Sequence, residues 1–143
     1  MRKGSTSVRG WFLSENIVSI RALARAEWRR YCDRVSKAAA GGSAELDVAS
    51  LDLGDRVEAR WLPLLGVVFD GRGDVLEIAL DGIGHSISSP REVLLEETER
   101  GLVAIEIVGA DDTVETLRFR EPLRIEHVMD DLDEAQRPDT GPR

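Results

Sequence analysis

The chain is poor in the residues that build disulfides, metal centres and membrane spans. It has a single cysteine, Cys32, in 143 residues, so it can form no internal disulfide. That usage suits a reducing compartment, and we expect a cytoplasmic protein. There are two histidines, His85 and His127, far apart in the chain and without a second ligand type at metal-site spacing. No Asp-x-Asp-x-Asp run offers a calcium loop. No apolar run approaches the roughly 20 residues of a membrane span. The front of the chain has Trp11-Phe12-Leu13 but no sustained apolar stretch, which argues against a secretory signal. A Gly-x-Ser-x-Gly elbow and a Walker-type glycine loop are both missing. Gly82-Ile83-Gly84 lacks a third glycine and a following helix. These absences lead us to expect no catalytic residue, no metal and no cofactor.

What the chain does have is charge, unevenly spread. Residues 1–37 carry a balance of +6, residues 38–125 one of −10, and residues 126–143 one of −4, within a total of −8. A basic front on an acidic body is an asymmetry that a partner can read.

From Arg56 to Arg120 the sequence reads as short strands closed by turns. Val57, Ala59 and Trp61 alternate with polar residues and should share a face. Pro63 cannot donate to a ladder and marks an edge, bulge or bend. Leu64 to Phe69 is nearly continuous in apolar residues, as expected of a strand buried on both faces. Asp70-Gly71-Arg72-Gly73-Asp74 is turn chemistry, with glycines to supply positive φ; its Arg-Gly-Asp is read as a turn, not an adhesion signal. Leu76, Ile78 and Leu80 share a face, as do Val93 and Leu95, then Val103, Ile105 and Ile107, then Leu117 and Phe119. Residues 85–89 form a short polar segment ended by Pro90. Connections this short leave no room for crossover helices, so neighbouring strands should be antiparallel.

Residues 24–39 carry the one helical pattern. Ala24, Trp28, Tyr31, Cys32 and Val35 fall on one arc, with Arg25, Arg29, Arg30, Arg34 and Lys37 elsewhere, and Gly41-Gly42 to end it. Residues 44–53 could add a first strand if a bulge near Ala49-Ser50 reconciles their two phases. The organisation expected is a flexible arm at 1–20, one domain at 21–125, and a disordered acidic tail at 126–143. The fold class expected is α+β: one N-terminal helix packed on a five- or six-stranded antiparallel meander curved toward an open, Sm-like barrel.

Glu27-Trp28, Leu62-Pro63-Leu64 with Gly66, Asp74 to Ile78, Gly84-His85 with Ile87 and Pro90, Ile105-Glu106-Ile107 and Leu117-Arg118-Phe119 together resemble a bacterial family, domain of unknown function 5335. The likeness covers about residues 21–120. Its motifs are structural, so it implies a fold and no activity. Family members usually carry Asp-Gly at the final hairpin, where this chain has Asp111-Asp112.

The leading expectation is a small non-enzymatic binding or accessory domain acting through protein contacts, including contacts with itself through an exposed strand edge. Two other readings stand beside it. The arm and helix, with Arg25, Arg29, Arg30 and Trp11, could hold nucleic acid, because guanidinium groups attract phosphates and exposed aromatics stack on bases. Against this, Trp28 lies on the predicted buried stripe and the body is acidic. His85, with Ser86, Ser88 and Ser89 nearby, could centre a small enzyme; a strand-end histidine bonded to backbone is the simpler reading. Cys32, on the apolar arc, is read as core filler of low reactivity.

Overall fold

The computed structural model describes residues 17–50 and 54–125. Within them lie eight strands and one α-helix. The strands are β1 (Ile17–Ala22), β2 (Ser43–Ser50), β3 (Gly54–Asp70), β4 (Val75–Leu80), β5 (Ile83–Ser88), β6 (Glu92–Thr98), β7 (Gly101–Val108) and β8 (Val114–Leu123). The helix, α1 (Trp28–Ala38), follows a single 3-10 turn at Arg25–Glu27. All paired strands are antiparallel, in the order β1-β6-β7-β8-β2-β3-β4-β5.

That order departs from one meander of five or six strands. Two meanders, β2 to β5 and β6 to β8, are joined where β8 pairs with β2. The break between them falls at Ser89-Pro90: Ser89 takes φ 50°, and its N–H adds a last bond to the β4–β5 hairpin, to Asp74 O at 2.8 Å. The additional strand at the far edge is β1, so residues 17–20 belong to the sheet and not to an arm. Its pairing is held by side chains of β1 reaching β6: Ser19 Oγ donates to Glu97 Oε1 at 3.1 Å, and Arg21 Nε donates to the same oxygen at 3.1 Å. The rest of the expected arm, including Trp11, and the expected tail lie outside the described residues.

β3 explains most of the remaining differences. It is 17 residues long and serves two ladders, pairing with β2 up to Pro63 and with β4 from Leu64 onward. Pro63 sits at the changeover, where a missing N–H costs least. The register against β2 shifts between Ala44 and Leu46 and again between Leu46 and Asp47, and Trp61 takes φ 51°. Each extra residue on β3 reverses which side the next side chain faces. Ala59 is therefore buried opposite Leu46, whereas Val57 is exposed and Trp61 half-buried, so the three do not share a face. The bulges lie here and not near Ala49-Ser50, whose pairing with Asp55 and Gly54 is regular. A third shift falls between Leu64 and Gly66. Past it, Val67 and Phe69 point inward while Leu65 and Val68 are exposed, so this run is buried on one face only.

The residues read as core-facing in β4, β6, β7 and β8 are buried, but β7 also buries Leu102 and Ala104 on its other side, and Glu96 and Thr116 are buried too. Leu76, Ile78 and Leu80, Val93 and Leu95, Val103, Ile105 and Ile107, and Leu117 and Phe119 are all buried. α1 contributes Trp28, Tyr31, Cys32 and Val35 to the same core, while Ala24, ahead of the helix, is exposed. Full burial of each large apolar side chain is worth about 1.5–3 kcal/mol, which makes this arc the helix's main source of stability. Gly41, at φ 86°, ends α1 in the left-handed geometry that glycine tolerates. In the β3–β4 turn the positive φ, 55°, belongs to Asp74 and not to either glycine. At the last hairpin Asp112 takes φ 68° where Asp-Gly would place a glycine.

Gly101, between β6 and β7, is the tightest point of the sheet. Its φ is 134°, and a Cβ there would lie 2.3 Å from Leu123 O of β8. Both backbone strain and steric overlap oppose a side chain at this position. Gly101→Ala should cost about 2–4 kcal/mol, seen in urea unfolding as a lower midpoint at unchanged slope. A loss under about 0.5 kcal/mol, the range of ordinary surface substitutions, would contradict that close approach.

Candidate functional site

The start of α1 is built around Trp28. Its indole N–H donates to Leu23 O at 2.8 Å, and its ring meets Phe69 of β3 edge-on at 5.1 Å and 79°. The guanidinium of Arg25 lies 4.8 Å from the Trp28 ring centre and 5.2 Å from that of Phe69. Its Nη2 donates to Asp74 Oδ1 at 2.6 Å. Arg25 therefore fastens the helix start to the β3–β4 turn. The contact is half-exposed, and its two parts are worth about 0.5–1 kcal/mol each. The Arg-Gly-Asp tripeptide is the turn that supplies Asp74.

Farther along, α1 lies beside the edge of β3 that faces away from β4. Ser36 Oγ accepts from Val67 N–H at 2.8 Å and lies within donating distance of Val67 O, 2.9 Å, and of Cys32 O, 3.0 Å. One hydroxyl thus serves both backbone groups of an edge residue. Gly42 O accepts from Leu64 N–H at 3.0 Å a little farther along. Between the helix and the strand runs a groove of about 690 Å³, lined by Ala26, Arg29, Arg30, Asp33, Ser36 and the segment Leu65 to Phe69. It continues into a depression of about 880 Å³ that shares Arg29, Val68 and Phe69 and adds Asp70, Arg72 and Glu77.

The two walls of the groove differ chemically. The β3 wall exposes Leu65 (65%) and Val68 (58%), the two most exposed apolar side chains besides Ile20 and Val57. On the α1 wall, Arg29 and Arg30 are exposed, with no ion-pair partner among the described residues. Asp33 is occupied by Lys37 at 3.4 Å. Of the three arginines singled out from sequence, Arg25 is thus engaged internally, while Arg29 and Arg30 share the groove. Leu65 and Val68 escaped the sequence reading because the shift at Leu65 removed the alternation that would have shown one polar side.

His85 lies elsewhere, on β5 opposite Ile78 of β4. Its Nε2 is 2.6 Å from Glu115 Oε1 of β8, so the sheet curls until its end strand meets its middle. Parity holds the clue to this pair: Glu115 alternates with Leu117 and Phe119, and His85 with Ile83 and Ile87, all facing inward or half-buried. Ser86 and Ser88 alternate with His85 and are exposed on the opposite face, so their hydroxyls do not flank the imidazole. Glu115 is buried, and burial raises its pKa above the usual carboxylate range; contact with His85 pulls it back. Cys32 is buried, and desolvation pushes its thiol up to about 12, well out of the reactive range. Among the described residues no group of three or more His, Cys, Asp or Glu side chains could hold a metal ion. No described helix is long and apolar enough to cross a membrane.

The architecture is thus a mostly antiparallel sheet domain with one short helix and a cleft between that helix and its longest strand. The chain belongs to a family of unknown function, DUF5335, whose family model matches residues 19–128. It is also similar to an uncharacterised protein of Aquifex aeolicus, at 32% identity over 104 residues, spanning 72% of this chain and 94% of the relative. No solved structure matches it.

A raised carboxyl pKa in the folded state stabilises that state at low pH. The contribution is fully present below the unfolded value and is lost as pH rises through the folded one. Glu115→Gln, which cannot ionise, should therefore gain stability relative to the parent chain between pH 4 and pH 7. Urea midpoints of both proteins at intervals across that window test this; a variant that loses ground as pH rises would refute it.

Proposed function

We propose that this chain is a non-enzymatic cytoplasmic accessory module that binds another protein through the cleft between α1 and β3. The observation carrying this reading is the juxtaposition of exposed Leu65 and Val68 with Arg29 and Arg30, which make no ion pair with a described residue. Neighbouring exposed apolar side chains flanked by arginines suit a surface that a partner completes. We also read the curled sheet as an open, Sm-like barrel, supported by the His85–Glu115 contact between β5 and β8.

The nucleic-acid reading has less support. Trp28 is buried and cannot stack on a base, and Arg25 is already held by Asp74. The enzyme reading centred on His85 keeps a carboxylate beside the imidazole but has no serine on that face. Association of two copies by strand edges is least suited to β3, whose Val67 is already bonded to Ser36; β1, with Ile20 exposed, offers the freer edge.

Photo-crosslinking in the native host tests the proposal directly. A benzoylphenylalanine replacing Leu65 should give a discrete protein adduct, and the same probe replacing Asp81, in the exposed β4–β5 turn, should not. The adduct should disappear when Leu65 carries the probe in an Arg29→Glu, Arg30→Glu background. Equal adducts at both positions, or an adduct destroyed by nuclease, would remove the protein-binding reading.

A further inference from the structure

The cleft also constrains what kind of segment can fill it, if the protein-binding reading above holds. A partner strand would need to ladder onto the free edge of β3. There the Ser36 hydroxyl already accepts from Val67 N–H and stands 2.9 Å from Val67 O, and Gly42 O takes the N–H of Leu64. Replacing those bonds with a ladder would require α1 to move away, with Trp28, Tyr31, Cys32 and Val35 leaving the core. Recognition must therefore come from side chains and not from backbone pairing.

The dimensions suit a short helix. α1 has 11 residues, about 16 Å at 1.5 Å per residue. The β3 wall from Leu65 to Phe69 is about 16 Å long at roughly 3.3 Å per residue. Three turns of a partner helix match both. Its apolar stripe would rest on Leu65 and Val68, and the flank turned toward α1 would meet Arg29 and Arg30. That flank must be acidic, because buried or half-buried guanidinium groups need counter-charges. The acidic flank belongs only on the α1 side, since the adjoining depression carries Asp70 and Glu77 beside Arg72. A second copy of the chain is poorly matched: face-to-face packing of the same patch would set Arg29 and Arg30 against their equivalents, and each chain carries −8 overall.

We infer that the cleft between α1 and β3 receives an amphipathic helix of about three turns, apolar on one face and carrying Asp or Glu on the flank that meets Arg29 and Arg30.

The test uses the full chain and three fluorescein-labelled 12-residue peptides with helix-favouring termini. One has Leu at i, i+3, i+4 and i+7 with Glu on one flank. The second has Lys in place of Glu. The third has the composition of the first with its spacing scrambled. Anisotropy titration at low salt should give a micromolar Kd for the Glu peptide alone. Arg29→Glu with Arg30→Glu should weaken that binding at least tenfold and turn the preference to the Lys peptide. Leu65→Ser with Val68→Ser should weaken it similarly; both pairs are on the surface, and an unchanged urea midpoint confirms folding. Equal binding of the Glu and scrambled peptides, or a charge reversal without effect, would overturn the inference. So would a dimer in sedimentation that the charge reversal dissociates, or faster proteolysis of residues 126–143 in the reversed variant, since either would assign the cleft to the chain itself. Failure of the peptides while the position-65 crosslink persists would remove the acidic helix and leave the protein-binding reading standing.

Discussion

One strand must satisfy two ladders, and the rest of the structure follows from how β3 does so. A 17-residue strand paired with β2 along one part and β4 along the other cannot keep a single register. It takes up the mismatch in three register shifts, with Pro63 at the changeover. Each shift reverses the side-chain parity that follows it. The first two leave Ala59 inside and Val57 outside. The third places Val67 and Phe69 in the core and sends Leu65 and Val68 out. The exposed apolar wall of the cleft is thus a by-product of turning one strand between two partners. Removing it by substitution costs the core nothing, whereas filling the register would.

The same changeover creates the problem that α1 solves. Once β3 leaves β2, its far edge has unpaired backbone groups, a common liability of sheet proteins. α1 covers that edge with the Ser36 hydroxyl and anchors itself by Trp28 on Phe69 and by Arg25 on Asp74. A helix fixed at that edge by its apolar arc must turn its other side to solvent, which is where Arg29 and Arg30 lie. Two separate requirements, a turned strand and a covered edge, therefore produce the two walls of one cleft. Arg25, just ahead of α1, is paired with Asp74, whereas Arg29 and Arg30 make no ion pair with a described residue.

What sequence periodicity could show depended on whether a strand kept its register. In β4, β6 and β8 alternation places the apolar core side chains correctly; in β7 it finds only half of them, because Leu102 and Ala104 are buried on the other parity. The same alternation contains the His85–Glu115 pair, because both residues fall in phase with core neighbours. In β3 the pattern misleads: Val57, Ala59 and Trp61 alternate but are separated by bulges, and an apolar run looks doubly buried because one bulge offsets the two faces. β1 was illegible for another reason. Its partner, β6, lies more than 70 residues later, and its pairing is fixed by Ser19 and Arg21 on Glu97, contacts with no local signature. The α1 arginines were visible as candidates, but only the geometry separates Arg25, which is spent on structure, from Arg29 and Arg30.

Edge coverage also decides which recognition modes remain. Sheet proteins with an open edge can capture almost any extended segment, because backbone groups carry little sequence information. Here Leu64 and Val67 on the edge next to the apolar wall are already bonded to Gly42 and Ser36, so in the proposed binding mode affinity would come from Leu65, Val68 and two guanidinium groups. In that mode the surface would discriminate by side-chain pattern and by sign of charge. At the other end of the sheet, His85 of β5 meets Glu115 of β8. A rigid strand and a pinned helix keep the two walls at a set separation before any partner arrives. Preorganisation of that kind would favour the proposed binding, because little freedom would be left to lose on association.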